Sequence, residues 1–459
     1  MKRRYLDLPD HARRDFIKWT IGLGAALGLR PWKVFEVNES LVGPAIAQSA
    51  ACSSVNRFVG NIMGNGGFAW MTQLWPFPEI ATKPGAAFYA TGQATAQAAD
   101  TGDKPFMLSP AAPKLAGKRM TGFICGTNET HTQRPTSSTT VGTGVGMFAA
   151  VAALQTAAPT LVPSIGIGML PYGTAAGAPA IASVAGPSGM VDLFNSASST
   201  AGGALVKQQD ASLFEAYYKA NLSLHRAAAR PTMTRGFLTG KVAANLLGKN
   251  LAAQLTPSAD DYTRYGVSSS TPSKLMAIAQ VLITTVKAFK LNLTNAVLLP
   301  GMSDDPHGAF GDMNNLTMTA QTLGKIWDGF MNDLMNEPDP MCAGMKIGDN
   351  VVITWSGDTP KDPNTPSGWP DGTPNNSNWI FALGAGLLKS GWFGQVKGDG
   401  SVTTWNPTTG ADMTGGTSAS MSGPAGAAVL YAVCKGDMRR VQDFYRGVGI
   451  DGVINAKQM

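Results

Sequence analysis

The chain is organised around Asn295-Ala296-Val297-Leu298-Leu299, and this run is followed by Pro300-Gly301-Met302-Ser303-Asp304-Asp305-Pro306-His307. A short apolar run that ends at Pro-Gly predicts a buried strand. The polar loop after it carries a carboxylate and an imidazole two residues apart. Ligands of open α/β sheets bind beyond the carboxyl ends of the strands. We therefore expect the chemistry of this protein in the loop that holds Asp305 and His307.

Helical patterns flank this strand on both sides. Apolar residues recur at helical spacing from Leu275 to Phe289, with Thr271 as the predicted N-cap and Pro272 at the first helical position. A second helical pattern follows the loop from Leu316 to Leu334. Further strands are predicted at 54–63, 120–125, 164–169, 350–355 and 379–383, and further helices at 145–154, 213–225, 241–255 and 425–433. This alternation predicts an α/β domain with a largely parallel sheet.

The N-terminus carries the most specific motif of the chain. Ala12-Arg13-Arg14-Asp15-Phe16-Ile17-Lys18 has the pattern of a twin-arginine export signal, followed by a weakly apolar run at 19–29. A run of this length is too short for a bilayer, which needs about 20 residues. The alternative is an arginine pair that opens an amphipathic helix. We predict a signal or N-terminal anchor at 1–47 and one α/β domain at 48–459, with a Gly/Ala-rich surface excursion at 171–205.

The fate of the signal is open in the sequence. Ala45-Ile46-Ala47 fits a small-x-small cleavage site before Gln48, although it lies far from the apolar run. An uncleaved signal helix and a weak lipobox that ends at Cys52 are the other two possibilities. Export predicts a periplasmic or cell-envelope location. Membrane contact is expected only through an uncleaved signal helix.

Composition agrees with export. Hydrophobic residues make up 44% of the chain and charged residues only 14%, and Gly, Ala, Ser, Thr and Asn fill the difference. The formal net charge of +6 is small for this length, and no basic cluster follows the signal, so nucleic acid is not an expected partner. Four widely separated cysteines allow one or two disulfides in an oxidising compartment, or buried free thiols.

Several further motifs occur in a definite order. They are the glycine-rich loop after the first strand, Tyr262-Thr263-Arg264-Tyr265-Gly266, Asp305-Pro306-His307, Val351-Val352-Ile353-Thr354-Trp355-Ser356 with Thr359-Pro360, the glycine pairs at 381–394, and Val448-Gly449-Ile450-Asp451. This order resembles the exported proteins of domain of unknown function 1501, in the alkaline phosphatase and sulfatase superfamily. The resemblance implies a three-layer alkaline-phosphatase-like sandwich. It also implies two metals held by Asp and His, and a Ser, Thr or formylglycine nucleophile.

The sequence departs from that pattern at the metal ligands. The glycine-rich loop at 65–72 has no carboxylate, and Ser356-Gly357-Asp358-Thr359-Pro360 lacks the Glu and Arg of the family. Asn375, Asn376 and Asn378 stand where the family has Asp-His. Asparagine is a poor zinc ligand, although its carbonyl suits calcium. We therefore expect a divergent member without a two-metal site.

Two functions follow from this reduced ligand set. The first is a binding or structural role in the cell envelope, with a carbohydrate or envelope protein as the partner. Aromatic rings offer flat apolar faces, and amides such as those of Asn65, Asn376 and Asn378 pair with hydroxyl groups.

The alternative function is a metal-dependent hydrolase of phospho- or sulfo-esters with a single-metal site. Asp305, His307 and Asp358 would hold one divalent cation, calcium or zinc. The candidate nucleophile is Thr136, Ser137 or Ser138, with His131 nearby. Other roles remain open for the same residues: loop hydrogen bonds for Asp305 and His307, turn capping for Asp358, and a solvated loop for 136–140.

Overall fold

The structure is a computed structural model that describes residues 52–64, 77–82, 95–158, 160–168, 170–198, 220, 223, 251–302, 307, 312–365 and 371–455. The chain divides into two compact units, Met1–Ala51 with Ala197–Lys249, and Cys52–Ser196 with Asn250–Met459. Nearly all described residues belong to the second unit. No helix among the described residues is both long enough and apolar enough to cross a membrane.

The strands of the described residues are numbered in chain order. They are β1 (Arg57–Met63), β2 (Thr95–Ala96), β3 (Met107–Leu108), β4 (Thr121–Thr127), β5 (Thr140–Gly142), β6 (Val145–Gly146), β7 (Val162–Ile167), β8 (Ala182–Val184), β9 (Thr294–Pro300), β10 (Val351–Gly357), β11 (Ser377–Gly384), β12 (Gly391–Phe393), β13 (Gln395–Val396), β14 (Val402–Trp405) and β15 (Asp412–Met413).

The α-helices of the described residues are numbered in the same way. They are α1 (Pro78–Ala81), α2 (Met147–Gln155), α3 (Pro187–Ser198), α4 (Leu251–Leu255), α5 (Ala259–Arg264), α6 (Ser273–Lys290), α7 (Met313–Asn336), α8 (Ser422–Val433) and α9 (Met438–Val441). Short 3₁₀ helices lie at Leu115–Gly117, Ser137–Thr139, Ile347–Asp349, Pro374–Asn376 and Ser418–Met421.

One large sheet forms the centre of the domain. Its eight strands lie in the order β12-β4-β11-β10-β1-β9-β7-β8. β11 is antiparallel to both of its neighbours, and every other pair in this sheet is parallel. The predicted mixed α/β class and largely parallel sheet are therefore confirmed. The carboxyl ends of β1, β4, β9 and β10 lie at the same edge of the sheet.

The strand at the centre of the sequence argument is β9. Val297 and Leu299 are fully buried, as the apolar run predicts. β9 pairs with β1 on one side and with β7 on the other, so it has no free edge. Apolar side chains on both faces of a strand are typical of a strand buried inside a parallel sheet.

The flanking helices occur where the periodicity predicts them, but one cap differs. α6 begins at Ser273, with Pro272 as its N-cap residue and no side-chain cap. Thr271 is not the cap, because its hydroxyl accepts a hydrogen bond from the Ser268 N–H (3.0 Å) in the preceding turn. α7 is capped by Asp312, whose carboxylate accepts from the Asn315 N–H at 3.0 Å.

Aromatic side chains connect the helices to the sheet. Phe58 of β1 lies 6.1 Å from Phe148 of α2 between ring centroids. Trp355 of β10 lies 5.0 Å from Trp327 of α7. Both tryptophans are fully buried, so they contribute large apolar surfaces to the core.

A disulfide and a buried ion pair lie at the amino edge of the sheet. Cys52, before β1, is bonded to Cys342, before β10. Arg57 Nη1 lies 2.6 Å from Oδ1 of Asp339, and both side chains are almost fully buried. Asn350 donates to Oδ2 of the same carboxylate at 2.8 Å. Burial lowers the pKa of Arg57, and Asp339 opposes that shift.

Some sequence expectations differ from the structure or lie outside it. The segment predicted as a Gly/Ala-rich excursion at 171–205 contains the edge strand β8 and the helix α3. Of the helix predicted at 241–255, the described part is α4 at its end. The helix predicted at 213–225 lies almost entirely outside the described residues, as does the signal at 1–47. Cys125 and Cys434 are buried free thiols, so the chain has one disulfide and two buried thiols.

Candidate functional site

The loops at the carboxyl edge of the sheet come together beyond β1, β4, β9 and β10. Gly64 follows β1, and a Cβ at this position would lie 2.8 Å from the carbonyl oxygen of Gln133. Gly126, near the end of β4, has φ +80°, and a Cβ there would lie 2.6 Å from the Ser138 nitrogen. Both positions need glycine because neighbouring backbone approaches so closely. The loop after β4 is therefore packed directly on the sheet edge.

The loop after β4 presents His131. The Glu129 N–H donates to the carbonyl of Asp358 at 2.8 Å, and the Thr132 N–H donates to the carbonyl of Glu129 at 2.9 Å. His131 lies within this turn at φ +61°, a left-handed conformation. Such conformations are uncommon for residues other than glycine and occur often at functional sites. The turn holds the imidazole out from the edge of the sheet.

The chain after β10 supplies a lysine and a carboxylate. Lys361 has φ +61°, and its side chain is fully buried. Its Nζ lies 2.8 Å from Oδ1 of Asp371. The Asp371 side chain itself is 47% exposed. The buried ammonium group of Lys361 thus contacts the exposed carboxylate of Asp371.

Both histidines of the two loops face that carboxylate. His131 Nε2 lies 3.2 Å from Oδ2 of Asp371, and His307 Nε2 lies 3.2 Å from Oδ1. One ligand atom of each of the three residues lies within 4.8 Å of the others. Within the described part of the chain this is the single group of three or more His, Cys, Asp or Glu residues that could hold a metal ion. We call these three residues the edge triad.

Electrostatics keep the carboxylate of the edge triad ionised. The hydrogen bond from Lys361 is the largest effect and lowers the pKa of Asp371, burial opposes it, and His131 lowers the pKa further. Asp371 is therefore a carboxylate at neutral pH. An ionised carboxylate is the form that binds a cation.

The donor set of the edge triad fits one divalent cation. Two imidazole nitrogens and one carboxylate oxygen are ligands that zinc accepts, and zinc sites with three protein ligands leave a further position open. The side chains are 40–47% exposed, so an outside donor can reach them. The triad has too few ligands for a two-metal site.

The candidate nucleophiles beside His131 are engaged in local structure. The Ser137 hydroxyl donates to the Thr127 carbonyl at 2.6 Å and accepts from the Thr127 N–H at 3.1 Å. The Glu129 carboxylate accepts from the N–H groups of Thr136 and Ser137 at 2.8 and 2.9 Å. Ser138 is buried. The Glu129 bonds satisfy N–H groups at the start of the short helix at Ser137–Thr139, and the bonds to Thr127 argue against a nucleophilic role for Ser137.

Asp358 and Asn378 belong to the framework beneath the site. Asp358 is fully buried, and its Oδ1 accepts from the Thr359 N–H at 2.6 Å, so turn capping rather than metal ligation describes it. The Asn378 amide donates to the carbonyls of Gly357 (2.9 Å) and Asp358 (3.1 Å), and its oxygen accepts from the Trp379 N–H. A buried amide with these partners cannot also contact a ligand. The binding role expected for Asn378 is therefore corrected to a structural one.

The remaining predicted residues have separate outcomes. Asn376 has φ +53°, and its backbone carbonyl accepts from the Asn128 N–H. The residue is exposed, so its side chain is accessible. Asn65 and Asp305 lie outside the described residues. Their predicted roles stay predictions.

Sequence reasoning brought forward His131 and His307 but missed Asp371 and Lys361. Both missed residues lie in the long Pro/Asn/Gly/Asp loop after β10. The signal available was position, because this loop follows a strand whose carboxyl end lies at the same edge as that of β9. Comparisons with protein-family models, with curated proteins and with solved structures found no match for this chain.

Proposed function

We propose that this protein is an exported cell-envelope protein that holds one divalent cation in the edge triad and uses it to bind a partner. The observation that carries the proposal is the convergence of His131, His307 and Asp371 on a common point, with their ligand atoms within 4.8 Å. With three protein ligands, open coordination positions face solvent. Hydroxyl or carboxylate groups of a carbohydrate or an envelope protein would complete the coordination.

The fold we propose is the three-layer alkaline-phosphatase-like sandwich. Phe58 and Asn61 of β1 point to opposite faces of the sheet, because side chains alternate along a strand. Phe58 contacts α2, whereas Trp355 is the register partner of Asn61 and contacts α7. These contacts support helices on both faces. The assignment to the alkaline phosphatase superfamily remains our proposal, and it rests on the order of the sequence motifs.

The compartment we propose is oxidising, in the periplasm or cell envelope. The Cys52–Cys342 disulfide supports this, because structural disulfides are rare in the reducing cytosol. The twin-arginine motif supports export by the folded route. Because the thiol of Cys52 is used by the disulfide, lipid attachment at Cys52 and this bond exclude each other. A removed signal or an uncleaved signal helix both remain compatible with the bond.

The test of the metal site is elemental mass spectrometry on the full chain, purified from periplasm without chelator. We expect about one equivalent of a divalent metal per chain. His307→Ala and Asp371→Ala should each lose it, because two remaining ligands bind a cation weakly. Asp399→Ala is the matched control, since it removes an exposed carboxylate outside the edge triad. Wild-type protein that takes up no metal after dialysis against zinc would refute the proposal.

The second candidate function is hydrolysis of a phospho- or sulfo-ester at the same single-metal site. The open coordination of the edge triad favours it, because a bound divalent cation polarises an ester oxygen. In this chain, Asp371 and the two histidines would hold the cation, and Lys361 would hold Asp371. The engaged hydroxyl of Ser137 is the reason we place this function second.

The two functions are separated by turnover. Metal-loaded protein would be assayed with aryl phosphate and aryl sulfate, together with His307→Ala and Ser137→Ala. The binding role predicts no turnover in any of these samples. Turnover that disappears in His307→Ala would establish the hydrolase, and its response to Ser137→Ala would decide whether that hydroxyl attacks the ester.

A further inference from the structure

Lys361 is a third neighbour of the Asp371 carboxylate, besides the two histidines. Its Nζ lies 2.8 Å from Oδ1, and the lysine side chain is fully buried. Lysine is almost never fully buried unless its charge is paired. The ammonium group is therefore a fixed part of the floor of the site rather than a mobile surface group.

The backbone around Lys361 holds this position at a cost. A left-handed conformation such as φ +61° is unfavourable for a residue with a side chain. The preceding residues are fixed, because the Asp358 N–H donates to the Met63 carbonyl at 3.0 Å and Asn378 donates to the carbonyls of Gly357 and Asp358. Strained residues persist where their surroundings determine them, and they cluster at functional sites.

The two oxygens of Asp371 have different surroundings. Oδ1 lies 2.8 Å from Lys361 Nζ and 3.2 Å from His307 Nε2. Oδ2 has His131 Nε2 at 3.2 Å. The ammonium group takes up part of the acceptor capacity of Oδ1, so a cation meets less competition at Oδ2. Lys361 thus favours coordination of a cation through one oxygen of Asp371.

We propose that Lys361 is a selectivity-determining residue, which makes Asp371 a one-oxygen ligand and so favours zinc over manganese in the edge triad. This inference rests on the proposed function, because it concerns the same site. Zinc is satisfied by four ligands and accepts imidazole readily. Manganese prefers carboxylate and water oxygens in octahedral sites. A carboxylate limited to one oxygen therefore penalises manganese more than zinc.

The repulsion between Lys361 and the bound cation does not affect this comparison. Zinc and manganese carry the same charge, so the Coulomb energy of each with the ammonium group is similar. The repulsion therefore cancels in the ratio of the zinc and manganese affinities. The effect of the number of coordinating oxygens does not cancel. This ratio is the quantity to measure.

The experiment measures the dissociation constants of zinc and manganese on the metal-free full chain. Zinc would be measured by competition with a chromogenic chelator, and manganese by electron paramagnetic resonance of the free ion. In Lys361→Met, which removes the ammonium group and keeps an unbranched apolar side chain, we expect the preference for zinc over manganese to fall by about tenfold, the lower end of the affinity changes that follow mutation of a residue that holds a metal ligand. Lys361→Gln, which is shorter and neutral, should shift the preference in the same direction and replaces Lys361→Met if that variant does not fold.

Lys104→Met is the matched control. Lys104 is also a nearly buried lysine with an aspartate partner, Asp412, but it lies outside the edge triad. Its replacement should leave the zinc preference unchanged. An unchanged preference in the Lys361 variants, with zinc bound by wild-type protein, would overturn this inference and leave the proposed function intact. Wild-type protein that binds neither metal would instead refute the proposed function itself.

Discussion

The two edges of the central sheet differ in how deeply their charged side chains are buried. At the amino edge, Arg57 and Asp339 form an ion pair with both side chains almost fully buried, beside the Cys52–Cys342 disulfide. At the carboxyl edge, Asp371 meets His131 and His307 with side chains 40–47% exposed. The amino edge buries its paired charges. The carboxyl edge also pairs Asp371, with Lys361, but leaves the carboxylate exposed to solvent, and the metal site that we propose lies there.

A groove near the amino edge also contains paired charges. It has a volume of about 370 Å³ and is lined by charged residues of α5, α6 and α7. Those charges form ion pairs, between Lys287 and Asp261 (2.7 Å) and between Lys290 and Glu337 (2.7 Å). The groove therefore presents paired charges to solvent, and two imidazoles that could ligate a metal distinguish the edge triad from it.

The largest expected effect comes from the buried ion pair of the amino edge. Asp339→Ala leaves the Arg57 charge buried without its carboxylate, which should lower the free energy of unfolding by about 3–5 kcal/mol. Urea denaturation followed by circular dichroism measures this change. Lys290→Ala, at an exposed pair, is the control and should change stability by about 0–1 kcal/mol. Equal effects of the two variants would contradict the conclusion that the buried Arg57–Asp339 pair matters more for stability than an exposed ion pair.

The disulfide is expected to contribute slightly less. Cys342→Ser should lower the free energy of unfolding by about 2–4 kcal/mol, because the bond closes a long loop. Thiol titration of the native protein should find no reactive cysteine, since Cys125 and Cys434 are buried. Burial raises the pKa of the Cys434 thiol to about 11, which makes it less reactive. Native protein that exposes reactive thiols without reductant would show that the bond is not formed.

Asp261, in the groove near the amino edge, should make stability depend on pH. Burial raises the pKa of Asp261, but hydrogen bonds from Lys287, Ser258 and Arg264 outweigh it and lower the pKa to about 2. A carboxyl group with a pKa lower in the folded state stabilises the protein above its unfolded pKa, and this contribution is lost as the pH falls toward 2.

Asp261→Asn measures that contribution. It should lower the free energy of unfolding by about 1–2 kcal/mol at pH 7, and the difference from wild type should shrink between about pH 5 and pH 2. Unfolding in urea at a series of pH values tests this. A difference that stays constant over this range would show that packing, not the charge of Asp261, is responsible.

The smallest expected effect is at the carboxyl edge and has the opposite sign. His131→Gly should raise the free energy of unfolding by a few tenths to about 1 kcal/mol, because glycine adopts a positive φ without strain. The same variant should lose metal. Thermal unfolding of metal-free protein is the measurement, with His131→Ala as the control that keeps the strain. A marked loss of stability in His131→Gly would mean that His131 is structural.

Much of the fold follows from local patterns in the sequence. The apolar run at β9 and the helical spacing of α6 and α7 predict these elements, because burial on both faces of a strand or one face of a helix leaves a periodic trace. The Thr271 cap was wrong because an alternative hydrogen bond within the preceding turn competes for its hydroxyl. β8 was missed because a short edge strand of small residues leaves almost no periodic signal.

The candidate site was only partly predictable. His307 was found because it follows a strand end, and His131 because histidines are few in this chain. Asp371 was missed in a loop with other carboxylates, and Asp358 was preferred because it stands in Ser356-Gly357-Asp358-Thr359-Pro360, where the resemblance places a family motif. The structure gives these two residues opposite surroundings, since Asp358 is buried under the sheet edge and Asp371 is exposed.

The sequence by itself determined the α/β class, the strand β9 and the edge of the sheet where chemistry is expected, because these depend on periodicity and on the order of elements along the chain. Only the tertiary structure decided which carboxylate meets the histidines, since His131 and Asp371 are 240 residues apart. Their meeting depends on the parallel order of β4, β10, β1 and β9, which brings the carboxyl ends of distant strands to one edge. Strand order is a long-range property, and no local pattern records it.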